Sequence, residues 1–117
     1  MAAGIVAAFS FSPIKVSAEQ GFFSVIEDLP LMPSLLENRE VAITFESSAG
    51  RVVDVQADGV ASPSAVDAYY KESLPQLGWK AQNNGSYLRE NELLFIKIET
   101  GQNNMVKVLF NLRPLSP

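Results

Sequence analysis

Ser62-Pro63-Ser64-Ala65-Val66-Asp67-Ala68-Tyr69-Tyr70-Lys71-Glu72-Ser73-Leu74-Pro75-Gln76-Leu77-Gly78-Trp79 is the stretch on which the fold turns. Ser62 is placed to cap a helix, and Pro63 suits its first position. Val66, Tyr69, Tyr70, Leu74 and Leu77 then recur at spacings of three and four, which gives one apolar face. Asp67, Lys71 and Glu72 take the other side. Pro75 predicts an end or kink near Ser73, and Gly78 a left-handed stop.

Outward from this helix the pattern changes to period two. Upstream, Val41, Ile43 and Phe45 share one face of a strand. Ser47-Ser48-Ala49-Gly50 is turn chemistry, and Val53, Val55 and Ala57 alternate along the strand that follows. This predicts a hairpin with one buried face, closed by Asp58-Gly59. Downstream, Trp79 to Gln82 leads into Asn83-Asn84-Gly85, a turn or a kink within one long strand that resumes at Tyr87. Leu94, Ile96 and Ile98 line another strand, and Val106, Val108, Phe110 and Leu112 the last. The expected class is α+β: an antiparallel sheet of about five strands in the order β-β-α-β-β-β, with one helix packed on one face.

Residues 19–40 differ from the 41–117 domain. Phe22, Phe23, Val25, Ile26, Leu29, Leu31, Met32, Leu35 and Leu36 are apolar, while Pro30 and Pro33 prevent a long helix. A short helix or turn near 21–28, an extended 29–33 and a helical turn at 34–38 capped by Ser34 are expected. Leu93, Phe95, Met105 and Leu109 fall on the second sheet face. The arm is the nearest segment that could cover them. Its alternative role is docking to a partner, through Phe22, Phe23, Ile26, Leu29, Leu31 and Met32. A membrane surface is possible but not favoured, because Glu27, Asp28 and Glu37 stand where lipid-binding helices carry Lys or Arg.

Residues 1–18 read as a secretory leader. Ala2 to Phe9 is a small-residue apolar run, and Val16-Ser17-Ala18 is a small-x-small cleavage site before Glu19. The positive n-region is missing; a cytoplasmic domain with a buried N-terminal helix or strand, and an uncleaved membrane anchor, are the alternatives to a cleaved leader. Lys15 would leave with the leader, making the remainder more acidic.

Composition removes whole classes of chemistry. The 117 residues include no His and no Cys, so a Ser-His-Asp triad, a Cys–His pair, a disulfide and the usual zinc sites are excluded. No Asp-x-Asp-x-Asp-Gly loop occurs for calcium, and no cofactor is expected. The formal charge of −4 argues against nucleic acid as a partner. The carboxylate pairs Glu27-Asp28, Asp54/Asp58 and Glu90/Glu92 lie in turns or at strand edges, where solvated carboxylates are ordinary, so no catalytic residue is nominated. Candidate ligand-facing residues are Tyr69, Tyr70 and Trp79, with core packing the stronger reading of each. The Asn83-Asn84-Gly85 and Gln102-Asn103-Asn104 stretches are turns before they are polar-ligand sites.

The stretch Val66 to Trp79 (a tyrosine-bearing helix, Leu74-Pro75, then Gly78-Trp79) resembles a pattern in small exported bacterial proteins. Ile26-Glu27-Asp28-Leu29-Pro30-Leu31-Met32-Pro33 looks like the N-terminal signature of uncharacterised exported alphaproteobacterial proteins. The two cover about a fifth of the chain, imply a periplasmic or envelope address, and carry over no catalytic residue. Gly78-Trp79 after the helix also resembles helix-grip envelope lipoprotein domains, although no Cys is present to bear lipid. The expected function is a non-catalytic interaction or adaptor domain whose partner is another envelope protein. The alternative is a small-molecule or lipid-binding module with its ligand between helix and sheet.

Overall fold

The computed structural model describes residues 21–115; the proposed leader lies outside them. Among the described residues one α-helix packs on an antiparallel sheet of seven strands. In chain order these are β1 (Leu35–Glu37), a one-turn 3-10 helix (Arg39–Val41), β2 (Ile43–Ser47), β3 (Gly50–Val60), α1 (Pro63–Gln76), β4 (Lys80–Ala81), β5 (Tyr87–Arg89), β6 (Glu92–Thr100) and β7 (Met105–Pro114). The sheet runs β3-β7-β6-β5-β4, and β1 and β2 lie end to end along the outer side of β3. The α+β class is as expected, and two strands exceed the expected five. One is β1. The other comes from Asn83-Asn84-Gly85, which turns the chain between β4 and β5 rather than kinking a single strand.

Each local departure has a physical cause. Leu35–Glu37 is a strand, not a helical turn, because β3 runs on to Val60 and offers it a pairing edge. Gly59 makes that pairing possible: a Cβ there would collide with the Ser34 carbonyl. Residues 21–28 take the turn alternative of the two expected there, with Phe22 in an isolated bridge to Pro30. The helix runs through Pro75 to Gln76 instead of stopping near Ser73. In the last turn the missing proline N–H costs one bond, and the N–H groups of Leu77 and Trp79 both reach the Leu74 carbonyl. Ser62 accepts from the Ala65 N–H and Gly78 has φ +93°, so cap and stop are where the residues predict them.

Among the described residues the core occupies one face of the sheet only. Val53, Val55 and Ala57 of β3, Leu94 of β6, and Val106, Val108, Phe110 and Leu112 of β7 point into it. Val66, Tyr70 and Leu74 meet them from α1. The helix does not span a sheet this wide, and the arm fills the remainder of the same face. Phe23, Ile26, Leu29, Leu31 and Leu35 are five of the eighteen buried apolar side chains among the described residues. Phe110 is the meeting point, with the Phe23 ring 5.0 Å away on the arm side and the Tyr70 ring 5.2 Å away on the helix side.

This corrects the expectation that the arm covers the second sheet face. Tyr70 fixes it instead to the helix side: its hydroxyl donates to the Pro30 carbonyl at 2.8 Å and accepts from the Met32 N–H at 3.2 Å. Arg89 adds a second fastening. Its guanidinium lies 2.7 Å from Asp28, donates to the Leu77 carbonyl, and sits 4.3 Å above the Trp79 ring.

The β2–β3 hairpin carries a second correction. Ser48-Ala49 is a two-residue turn, so Ile43 lies opposite Asp54 and Phe45 opposite Val52. Val53 and Val55 point to the core, and Ile43 and Phe45 therefore point to the other face. The period-two pattern is correct within each strand, but the register sends the two apolar sets to opposite sides.

Candidate functional site

Two of the concave regions in this architecture bear on function. The larger lies on the face that neither helix nor arm covers. Its floor is built in cross-strand rows: Ile43, Asp54, Asn111 and Phe95, then Gln56, Leu109 and Lys97, with Arg113 at one end. The open trough over them measures about 730 Å3, and Val41 completes its wall. A second groove of about 440 Å3 adjoins it through Phe95 and Arg113.

Polar groups in the trough are few and placed. The Asn111 amide donates to Asp54 at the centre. The Arg113 guanidinium stands 4.4 Å over the Phe95 ring, a cation–π contact at the rim. Lys97 is paired with Glu99 at 3.4 Å. The Asn111 side-chain oxygen, Oδ1, is buried without a partner.

Apolar exposure concentrates on this side. Nine large apolar residues are exposed among those described, and six lie on the open face: Leu36, Val41, Ile43, Phe45, Val60 and Met105. Monomeric surfaces seldom gather apolar side chains in this way without a use for them.

The smaller region is a cleft of about 540 Å3 between helix and sheet. Val66 and Tyr70 of α1 face Tyr87 of β5 and Ile96 and Ile98 of β6 across it. Asp67 and Lys71, paired at 3.0 Å, stand at its mouth. Desolvation raises the Tyr87 hydroxyl above the ordinary tyrosine range, and Asp67 adds to the shift.

The residues nominated from sequence divide sharply. Phe23, Ile26, Leu29 and Leu31 are buried in the chain's own core, and Met32 packs against it. They therefore offer no free docking surface, and of the six only Phe22 is exposed. Tyr70 lines the helix–sheet cleft, but its hydroxyl is committed to the arm. Tyr69 stacks edge-on against Tyr70 at 4.9 Å, and Trp79 is buried beneath Arg89; neither lines the cleft. Tyr87 does, although the sequence does not nominate it. The alternation at Tyr87 places it on a strand face, but only the turn at Asn83 to Gly85 brings that face under the helix.

The carboxylate pairs serve local contacts. Asp54 holds Asn111, Glu92 holds Arg51 at 2.9 Å and Asp28 holds Arg89. Among the described residues no three Asp or Glu side chains gather around a common point. No helix of the described residues is long and apolar enough to cross a membrane. Comparison with protein-family profiles, with curated proteins and with solved structures found no significant match.

Proposed function

We propose that the chain is a non-catalytic interaction domain of the cell envelope that meets its partner through the open face of the sheet. The observation that carries this reading is the uncovered trough with its flanking strip of Leu36, Val41, Ile43 and Phe45. The arm closes the core, and the opposite face is left to dock. Apolar area with a few polar anchors is the usual make-up of such a surface. Site-specific photo-crosslinking in the native cells tests it. A crosslinker at Phe45 or Leu109 should capture one discrete polypeptide, and one at Glu72 on the solvent side of α1 should not. Equal labelling from both positions sinks the proposal.

The helix–sheet cleft favours a second reading, a module for small amphiphiles with the ligand against Tyr87, Ile96 and Ile98. Dodecanoate is a suitable probe. Its titration should shift the methyl resonances of Ile96 and Ile98, and no shift at millimolar ligand removes this reading.

A further inference from the structure

The seven-stranded sheet has two edges, and they are built differently. The β4 edge is two residues long and begins with Lys80, the kind of short, charged edge that resists pairing. The β2 edge is five residues, Ile43-Thr44-Phe45-Glu46-Ser47, with neither lysine nor proline. Among the described residues β2 pairs only with β3. The two-residue turn makes Ser47 and Gly50 a hydrogen-bonded pair, so Phe45–Val52 and Ile43–Asp54 are the same type. The N–H and C=O groups of Thr44 and Glu46 consequently point away from β3.

Water solvates such a row in the free chain, and an extended segment is the element that can pair with it along its whole length. The side chains then specify its composition. On the open face it meets Ile43 and Phe45, both more than half exposed. On the other face it meets Glu46. Arg51, which lies opposite Glu46, is held by Glu92, so Glu46 has no ion-pair partner among the described residues. Glu40, just before the strand, has none either. A second copy of β2 would bring another glutamate and no cation.

We infer that β2 accepts an extended peptide segment of another protein, alternating apolar and basic side chains, as an eighth strand. This deepens the open-face reading and rests on it. A capped octapeptide of strictly alternating valine and lysine is a suitable probe. Its controls are a block isomer, with all the valines ahead of all the lysines, and an octapeptide alternating valine and glutamate. The alternating basic peptide should bind about ten-fold more tightly than either control. It should also slow amide exchange at Thr44 and Glu46 about ten-fold. Thr44→Pro, which deletes one outward N–H, should abolish the binding. If that variant fails to fold, Glu46→Lys, a surface change, should weaken it at least about five-fold by like-charge repulsion. No binding, binding equal to the block control, or unchanged affinity in Glu46→Lys overturns the inference. Self-association that protects the same amides without peptide also overturns it, by naming a second copy as the occupant. Peptide shifts confined to Phe95 and Leu109, with no edge protection, remove the eighth strand and leave the open-face reading standing.

Discussion

Tyr70 shows how one side chain joins two parts of this chain. Its ring is core, and its hydroxyl closes a buried pair of hydrogen bonds to Pro30 and Met32. Phenylalanine would keep the ring and leave the Pro30 carbonyl unpaired. Tyr70→Phe should therefore lose about 1–3 kcal/mol in urea unfolding at neutral pH. The same hydroxyl makes the fold sensitive to alkali. Burial pushes its pKa far up, and the N–H from Met32 opposes this only in part. A raised folded-state pKa means the native state holds its proton after the unfolded chain has lost it. Stability is then full below the unfolded value of about 10 and falls as pH rises above it. Unfolding midpoints measured between about pH 8 and 12 should drop steeply beyond about pH 10 in the wild type. The drop should be shallower in Tyr70→Phe. A parallel decline in both proteins would show that this hydroxyl is not the cause.

At the scale of elements, the arm is a structural layer. Ile26 and Leu29 are each 1% exposed, which places them as deep as most strand residues of the core. Ile26→Ala should cost about 2–5 kcal/mol, the range for emptying a core aliphatic position, read from the shift in urea midpoint. A loss below about 1 kcal/mol would mean that the arm lies loosely on the sheet. Gly59→Ala tests the junction of arm and sheet. The added methyl meets the Ser34 backbone carbonyl, so β1 must move away from β3. Amide exchange at Asn38, whose N–H donates to the Gln56 carbonyl, should accelerate markedly, and that of β6 much less. The helix, by contrast, is readable at its cap, at Gly78 and in the buried positions Val66, Tyr70 and Leu74, although it runs three residues past the expected end near Ser73 and leaves Leu77 exposed. Its cap, its stop and its buried face depend on neighbours three and four positions away. β1 is not readable in this way, because a three-residue segment has no periodicity of its own and its partner residues lie about twenty or more positions further on.

At the scale of the whole molecule the distinguishing property is a two-sided sheet with one side dressed. Ile43→Thr with Phe45→Thr keeps two good strand formers and removes apolar surface that the fold does not use. This double variant should unfold within about 0.5 kcal/mol of the wild type. It should bind markedly less of a hydrophobic dye such as Nile red. A large loss of stability would show that the strip is part of the core after all. Export is tested at the same scale. Amino-terminal sequencing of the protein from native cells should begin at Glu19, and an intact Met1 would place the chain elsewhere.

What is local or compositional in this protein is legible from its residues alone. The absence of His and Cys excludes whole chemistries, and the helix from Pro63 with its alternating strands requires an α+β layer. Even the core list of β3, β6 and β7 follows from period two. Tertiary structure alone decided which face each of these patterns serves. Ile43 and Val53 carry equally plain strand signals, yet one is exposed and the other buried, because the Ser48-Ala49 turn sets a register that alternation within a strand cannot encode. The apolar arm gave an equally clear signal of burial without saying where. Its side was settled by the width of a sheet that one helix cannot cover and by a tyrosine hydroxyl some forty residues away. That choice leaves the opposite face open, and it moves the candidate site from the arm to the sheet.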